Sequence, residues 1–402
     1  MPPASAVCIV VDRLHAGMVG AYGNAGIRTP SLDRLASHSV VFDQALINGP
    51  RLENIYEAYW RLGAGAETAE AASLISALAR QGVSTTLVTD EPSVARHPLA
   101  TSFGQAMVLD TPAAESATLA DEPEETAMAH LFAAAGEQIA SAAEPQLLWV
   151  HARGMAGAWD APYSLRQNYA DEDDPLPSES SEVPSRLLGD DFDPDEVLDV
   201  VHRYSGQVSL MDMCIGALLE EIDQSELGRA SLVMLLSARG FPLGEHGRVG
   251  PADDVLYGEL VQVPWLMRLP DRGGATLRCP HLVQPGDLAA TLAAWWELPR
   301  SEAMQARSLL PAASADLALR LRAYVRSEGE HALRTPAWYA RQTRGGPVEL
   351  YAKPDDRWEV NQVADRCTEV AATITDELAQ LWHNPELVDE LPANELLLVA
   401  DD

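Results

Sequence analysis

Lysine is almost missing: Lys353 is the single one in 402 residues. Lysine and arginine together number 28 against 60 aspartates and glutamates, a formal net charge of -32. A field of that sign repels polyanions, which excludes nucleic acid, anionic lipid headgroups and heavily sulfated polymers as general partners. Arginine and alanine are plentiful beside the missing lysine, so the shortage reads as compositional bias and not as function. Cysteine is scarce too. Cys8, Cys214, Cys279 and Cys367 stand far apart, without the paired spacing of a zinc or thioredoxin-like site, and are expected to be free thiols. Long hydrophobic runs are also lacking, since nothing approaches the roughly 20 apolar residues of a membrane span. The first apolar run, at residues 6–11, follows Met-Pro-Pro-Ala-Ser with no basic leader and no cleavage site. A cytoplasmic protein without membrane association is the expectation.

What is present alternates. Short β-branched or leucine-rich runs at 7–11, 84–88, 106–109, 146–151, 231–236 and 263–267 are separated by helical patterns at 31–38, 53–62, 69–81, 124–142 and 195–224. Such alternation predicts buried parallel strands joined by helices. In 195–224, Val197, Val201, Val208, Met211, Ile215, Leu218 and Ile222 recur mostly at steps of three and four, as a half-buried helix requires. Two acidic, proline-bearing segments near 110–125 and 171–195 break the pattern and read as solvated insertions. After about residue 312 the pattern changes. A helix at 316–327, short strands around the Gly345-Gly346 turn and a helix at 370–383 predict a small α+β subdomain over 313–402, appended to a large α/β domain over 1–312.

Several strings in order resemble the sulfatase family of the alkaline phosphatase-like superfamily. They are Ile9-Val-Val-Asp-Arg-Leu14, Gly20-Ala-Tyr-Gly-Asn24, Thr29-Pro-Ser-Leu-Asp-Arg-Leu35, Phe42-Asp-Gln-Ala45, Leu148-Trp-Val-His151, Trp159-Asp-Ala-Pro162 and Gly240-Phe-Pro-Leu-Gly-Glu-His-Gly247. The resemblance implies an alkaline phosphatase-like sandwich, with a large, mostly parallel central sheet flanked by helices. It also implies a reaction: a formylglycine made from Cys or Ser attacks a sulfate ester while a divalent cation, Ca²⁺ or Mg²⁺, and basic residues neutralise the anion.

The positions that would carry this reaction are exchanged. Of the four family metal ligands, two adjacent aspartates match Asp12 and Arg13, and a second pair matches Ala238 and Arg239. Alanine has no donor atom, and a guanidinium has no lone pair to give and repels a cation. The nucleophile position falls on Leu52 and the family arginine on Tyr56, with no Ser, Thr or Cys anywhere between Asp43 and Glu67. A phenol of pKa about 10 is a poor substitute, so Tyr56 is expected to pack. The family histidine after His151 matches Ala156, and the lysine beyond Gly247 falls near Pro251. His151 and His246 persist and are expected to make structural hydrogen bonds. His15, Trp159 and Tyr163 are secondary candidates for the rim.

The resemblance, read at these exchanged positions, thus implies a vestigial pocket of Asp12, Arg13, Leu52, Tyr56, His151, Ala156, Ala238, Arg239 and His246, with no catalytic residue, no metal and no cofactor expected. Arg13 or Arg239 is expected to balance Asp12 in place of the cation, because a buried carboxylate left alone is costly. The leading expectation is a pseudoenzyme with a protein partner or a small anionic ligand. Two alternatives stand beside it: a rewired, metal-free hydrolase in which His151 or His246 moves a proton, and an anion-binding protein that uses Arg13, Arg239 and Arg248.

Overall fold

The computed structural model describes residues 5–62, 73–111, 117–299, 306–317 and 320–398. Its strands are β1 (Ala6–Val11), β2 (Val40–Leu46), β3 (Ser84–Thr89), β4 (Gln105–Val108), β5 (Gln146–Ala152), β6 (Arg186–Leu187), β7 (Leu232–Ser237), β8 (Arg248–Val249), β9 (Gln262–Val263), β10 (Trp265–Arg268), β11 (Arg278–Val283), β12 (Ala323–Arg326), β13 (Glu330–Arg334), β14 (Trp338–Thr343) and β15 (Val348–Ala352). The main helices are α1 (Pro30–Ser37), α2 (Leu52–Trp60), α3 (Leu74–Arg80), α4 (Ala127–Ala140), α5 (Pro194–Gln224), α6 (Gly286–Trp295) and α7 (Thr368–His383).

A nine-stranded sheet runs in the order β11-β2-β10-β7-β1-β5-β3-β4, with β9 paired to β2. Strand β1 lies parallel between β5 and β7, whereas β10 is antiparallel to both β7 and β2. Both faces of β1 are covered, which is why it reads as an unbroken apolar run. Ala6, Cys8 and Val10 pack on one side with Ile55, Leu78 and Leu288 of α2, α3 and α6. Val7, Ile9 and Val11 pack on the other with Leu32, Phe132, Ile215 and Leu218 of α1, α4 and α5. Helix α5 starts where Asp193 accepts a hydrogen bond from the Asp195 amide and Pro194 occupies the first turn. The expected α/β architecture is therefore present, with a smaller antiparallel sheet, β12-β13-β14-β15, and α7 at the C-terminal end.

Three local readings need correction. Of the helix expected at 316–327, residues 318 and 319 lie outside the described residues, and Ala323 to Arg326 instead form the strand β12, paired with Arg334 to His331; this sheet contact overrides local helical propensity. The strand expected at 263–267 is split at Pro264, which has no N–H to give, and both parts run antiparallel. Strands β2 and β11 are not predicted by the apolar pattern, because in β2 Asp43 and Gln44 interrupt the apolar run. Of the helix expected at 69–81, residues 69–72 lie outside the described residues, as do 112–116 of the first acidic segment. Among the described residues, no helix is long and apolar enough to cross a membrane.

Candidate functional site

Parallel pairing sets the site. Because Val11 is in register with both Ala152 of β5 and Ser237 of β7, the residues just beyond these strands gather at one sheet edge. There the Asp12 amide donates to the Ala152 carbonyl at 2.9 Å, and the Ala238 amide donates to the Val11 carbonyl at 3.1 Å. Asp12, His151, Ala238 and Arg239 thus meet at the carboxyl end of the parallel strands, where open α/β sheets place their sites.

At the centre stand two arginines and two carboxylates. Arg239 grips Asp12 with both arms, Nε to Oδ1 at 3.0 Å and Nη2 to Oδ2 at 2.5 Å, and its Nη1 donates to the Pro50 carbonyl at 3.1 Å. The Asp12 side chain is 2% exposed. Burial alone would raise its carboxyl, but the charge and hydrogen bonds of Arg239, helped by Arg13 and His151, carry it below the ordinary carboxylate value. Arg13 does not share Asp12. Its backbone is left-handed, with φ of 62°, and its Nη2 reaches Asp253 at 2.6 Å, while Nη1 faces the carbonyls of Ala252 and Gly240 at 3.3 and 3.4 Å. Asp253 also lies 3.7 Å from Arg239. The Tyr204 hydroxyl from α5 holds the turn, donating to the Arg13 carbonyl and accepting from the His15 amide, each at 2.8 Å. The balancing guanidinium expected for Asp12 is therefore that of Arg239, with Arg13 balanced by Asp253.

The nucleophile corner is filled with rings. Leu52 opens α2 and packs partly buried against the core, and Tyr56, one turn on, is 1% exposed. The Tyr56 hydroxyl and His151 Nδ1 share a hydrogen bond of 2.5 Å, and His151 Nε2 has no hydrogen-bond partner among the described residues. Burial pushes His151 down to about 4 and pushes the Tyr56 phenol well above its usual value, so both are neutral at pH 7. Tyr59, Trp60 and Trp149 close the corner, with ring centroids 4.5 to 6.1 Å from Tyr56.

The remaining candidates hold other partners. His246, at a left-handed φ of 49°, sets Nδ1 3.0 Å from Glu259 Oε1 and Nε2 3.3 Å from the Glu359 carbonyl, and stacks on Tyr257 at 3.7 Å. Arg248 pairs with Asp254 at 3.1 Å, not with the anion set expected for it. Each arginine of that set, Arg13, Arg239 and Arg248, already holds a carboxylate, so a small anion would have to displace one. Ala156 sits half-buried in the short turn Gly154–Ala156. Trp159 is fully buried, donates from Nε1 to the Met155 carbonyl at 3.0 Å and packs edge-on against Tyr204. Tyr163 is half-buried at the start of a short helix, and His15 Nε2 lies 3.4 Å from Glu245. Sequence reasoning missed Asp253 and the Pro50 carbonyl, which no local motif marks, and gave Tyr204 no role in holding the turn.

The sulfatase family profile matches residues 5–298. This chain belongs to the sulfatase family. Human iduronate 2-sulfatase is 22% identical over 336 residues, which cover 66% of this chain and 59% of that protein, so the chain spans under two thirds of that relative's length. Among solved structures, the phosphonate monoester hydrolase of Agrobacterium radiobacter superposes with a TM-score of 0.76 at 15% identity, covering 94% of this chain and 95% of the other. A protein solved with its substrate D-glucosamine-2-N,6-O-disulfate gives 0.77 at 16%, covering 96% and 98%. At such identities the structural likeness speaks for the fold alone.

The loop that carries the family's Gly244-Glu-His-Gly247 string is docked on the small C-terminal sheet by a chain of ionisable groups. Both ring nitrogens of His246 face acceptors, a setting that favours the charged ring. Burial opposes this charge, but Glu259 and the Glu359 carbonyl outweigh burial and raise its pKa. Tyr257 lies between His246 and the Arg341 guanidinium, 3.4 Å from the ring centre, and Arg341 pairs with Glu330 at 2.6 Å. Burial pushes Glu330 up to about 7 against the pull of Arg341, with Glu349 and Asp254 adding to the rise. Both shifts have the same sign. Glu330 contributes stability that is complete below its ordinary value and is lost as pH rises through about 7, and His246 loses its contribution through its own raised value. Unfolding free energy is thus expected to fall between pH 5 and 8, and Glu330→Gln to shrink that fall by about 2 kcal/mol. Urea denaturation at several pH values measures it; an unchanged slope in Glu330→Gln contradicts the account.

Proposed function

We propose that this sulfatase-family protein does not hydrolyse esters by the family's metal-dependent route and works by binding another macromolecule. The bidentate grip of Arg239 on Asp12 carries this reading. The two oxygens that would face a cation are already satisfied by a cation that cannot dissociate. A hard divalent ion takes about six oxygen ligands. The residues at the other three family positions, Arg13, Ala238 and Arg239, offer none, and among the described residues no group of three or more His, Cys, Asp or Glu is placed to hold a metal. Leu52 can form no formylglycine, and the Tyr56–His151 pair beside it is fully enclosed. Parts that act as a unit in catalysis are exchanged together, which favours loss of the reaction over a change in its rate.

The ion-paired state of Arg13, Arg239 and Arg248 also favours a protein partner over a small anion at this site. The test is hydrolysis of aryl sulfates and aryl phosphates with Ca²⁺, Mg²⁺ or Mn²⁺. Turnover is expected at the level of the His151→Ala variant and of buffer. Metal-dependent turnover that Asp12→Ala or His246→Ala abolishes, with both variants folded by circular dichroism, would overturn the proposal.

A further inference from the structure

Helices α4 and α5 pack together and leave a groove of about 540 Å³ open to solvent. Its floor and walls are apolar and mostly small: Phe132, Ala133, Gly136, Ala140, Ala217 and Leu218 line it. Met213, 47% exposed, stands at its edge. Phe132 and Leu218 are nearly fully buried, so the groove has a firm base. The small side chains allow another backbone close approach. A Cβ at Gly136 would already meet the Glu221 methylene at 3.4 Å.

The edges carry one sign of charge. Glu124, Glu137 and Glu221 line the groove, and among the described residues none of the three has an ion-pair partner. Neither α4 nor the stretch 204–224 of α5 contains a single lysine or arginine. The two other acidic groups of that stretch with strong partners are spoken for elsewhere: Asp212 accepts from the Ser31 and Leu32 amides, and Asp223 pairs with Arg268. His130 is the sole group lining the groove that could become cationic.

We infer that this groove docks a basic amphipathic helix of a partner protein, about three turns long. The length follows from the row Ala129, Ala133 and Ala140 lining the groove, half-buried at Ala129 and exposed at the other two, which covers eleven helical steps of α4 at about 1.5 Å each. The apolar floor takes the partner's apolar stripe, and the glutamates meet lysines or arginines beside it, the helix-in-groove mode of recognition. A second copy of this chain is disfavoured because it would bring glutamates against glutamates, at a net charge of -32 on each copy. Met213 suits such a surface, being unbranched and able to adapt to its occupant. The groove shares no residue with the Asp12 site, so the outcome of the hydrolysis assay does not bear on it.

The probe is a fluorescent 18-residue helical peptide with Leu and Ala on one face and Arg on both flanks, compared with the same peptide carrying Glu for Arg. Anisotropy is read on the full chain at 0.15 M salt. The basic peptide is expected to bind and the acidic one not to bind. Ala133→Trp, at an exposed position, fills the groove and is expected to weaken binding at least tenfold. Glu137→Lys combined with Glu221→Lys is expected to reverse the preference between the two peptides. Equal binding to wild type and Ala133→Trp would assign the attraction to the overall acidic field and overturn the inference. So would absence of binding, or a concentration-dependent dimer that Ala133→Trp dissolves.

Discussion

Arg239→Ala is expected to lower the unfolding free energy by about 3–5 kcal/mol, the cost of leaving a buried charge without its partner. Asp12 has almost no contact with solvent, and its two oxygens would lose both charge-assisted hydrogen bonds at once. Arg13 cannot take over without giving up Asp253 and leaving its left-handed turn. Replacing both partners, with Asp12→Asn and Arg239→Met, is expected to cost less than Arg239→Ala alone, because no unpaired charge then remains. The pH dependence has a definite sign. The carboxyl of Asp12 is held below its ordinary value, so its contribution is complete above about pH 4 and is lost as pH falls through the lowered value. Arg239→Ala removes that acid limb. Urea denaturation between pH 3 and 8 measures both effects, and a loss under 1 kcal/mol at pH 7 would mean that the pair does not hold the site.

The second large effect is the return of a metal response. In the triple variant Arg13→Asp, Ala238→Asp, Arg239→Asn, oxygen donors stand at all four family positions, grouped around the end of β1 with Asp253 nearby. Aspartate is among the few residues that tolerate the left-handed conformation seen at Arg13. Without metal, this crowd of carboxylates is expected to destabilise the fold. With Ca²⁺ or Mg²⁺ at 100 times its dissociation constant, binding is expected to restore about 2.7 kcal/mol. Thermal denaturation in chelator and in millimolar cation reads the difference. A cation-dependent rise in the wild-type chain, or no rise in a folded triple variant, would show that arginine has not replaced a metal here.

Much of the candidate site was legible because sulfatase strings keep their order even where their charges change. Asp12, Arg13, Ala238 and Arg239 follow strands whose apolar runs are unmistakable, so their convergence needs only a parallel sheet. The surroundings of His246 were not legible, for the opposite reason. It lies in the most family-like string of the chain, yet its partners Glu259, Glu359 and Tyr257 come from residues 11 to 113 positions away, as the separations of 13 and 113 to its hydrogen-bond partners illustrate. The partner of Arg248 was not legible either, since nearness in sequence to Arg239 says nothing about which carboxylate each arginine meets.

Sequence alone determined the architecture, the family and the identity of each exchanged side chain, because apolar periodicity and motif order are local properties of the chain. It also determined that some arginine must answer Asp12, because a buried carboxylate demands a partner. Which arginine answers was decided by tertiary structure. The left-handed turn at Arg13, pinned by Tyr204, sends one guanidinium to Asp253 and leaves Asp12 to Arg239. Tertiary packing alone also brought α4 against α5 with their acidic edges outward, since a groove belongs to two surfaces and neither helix encodes it by itself.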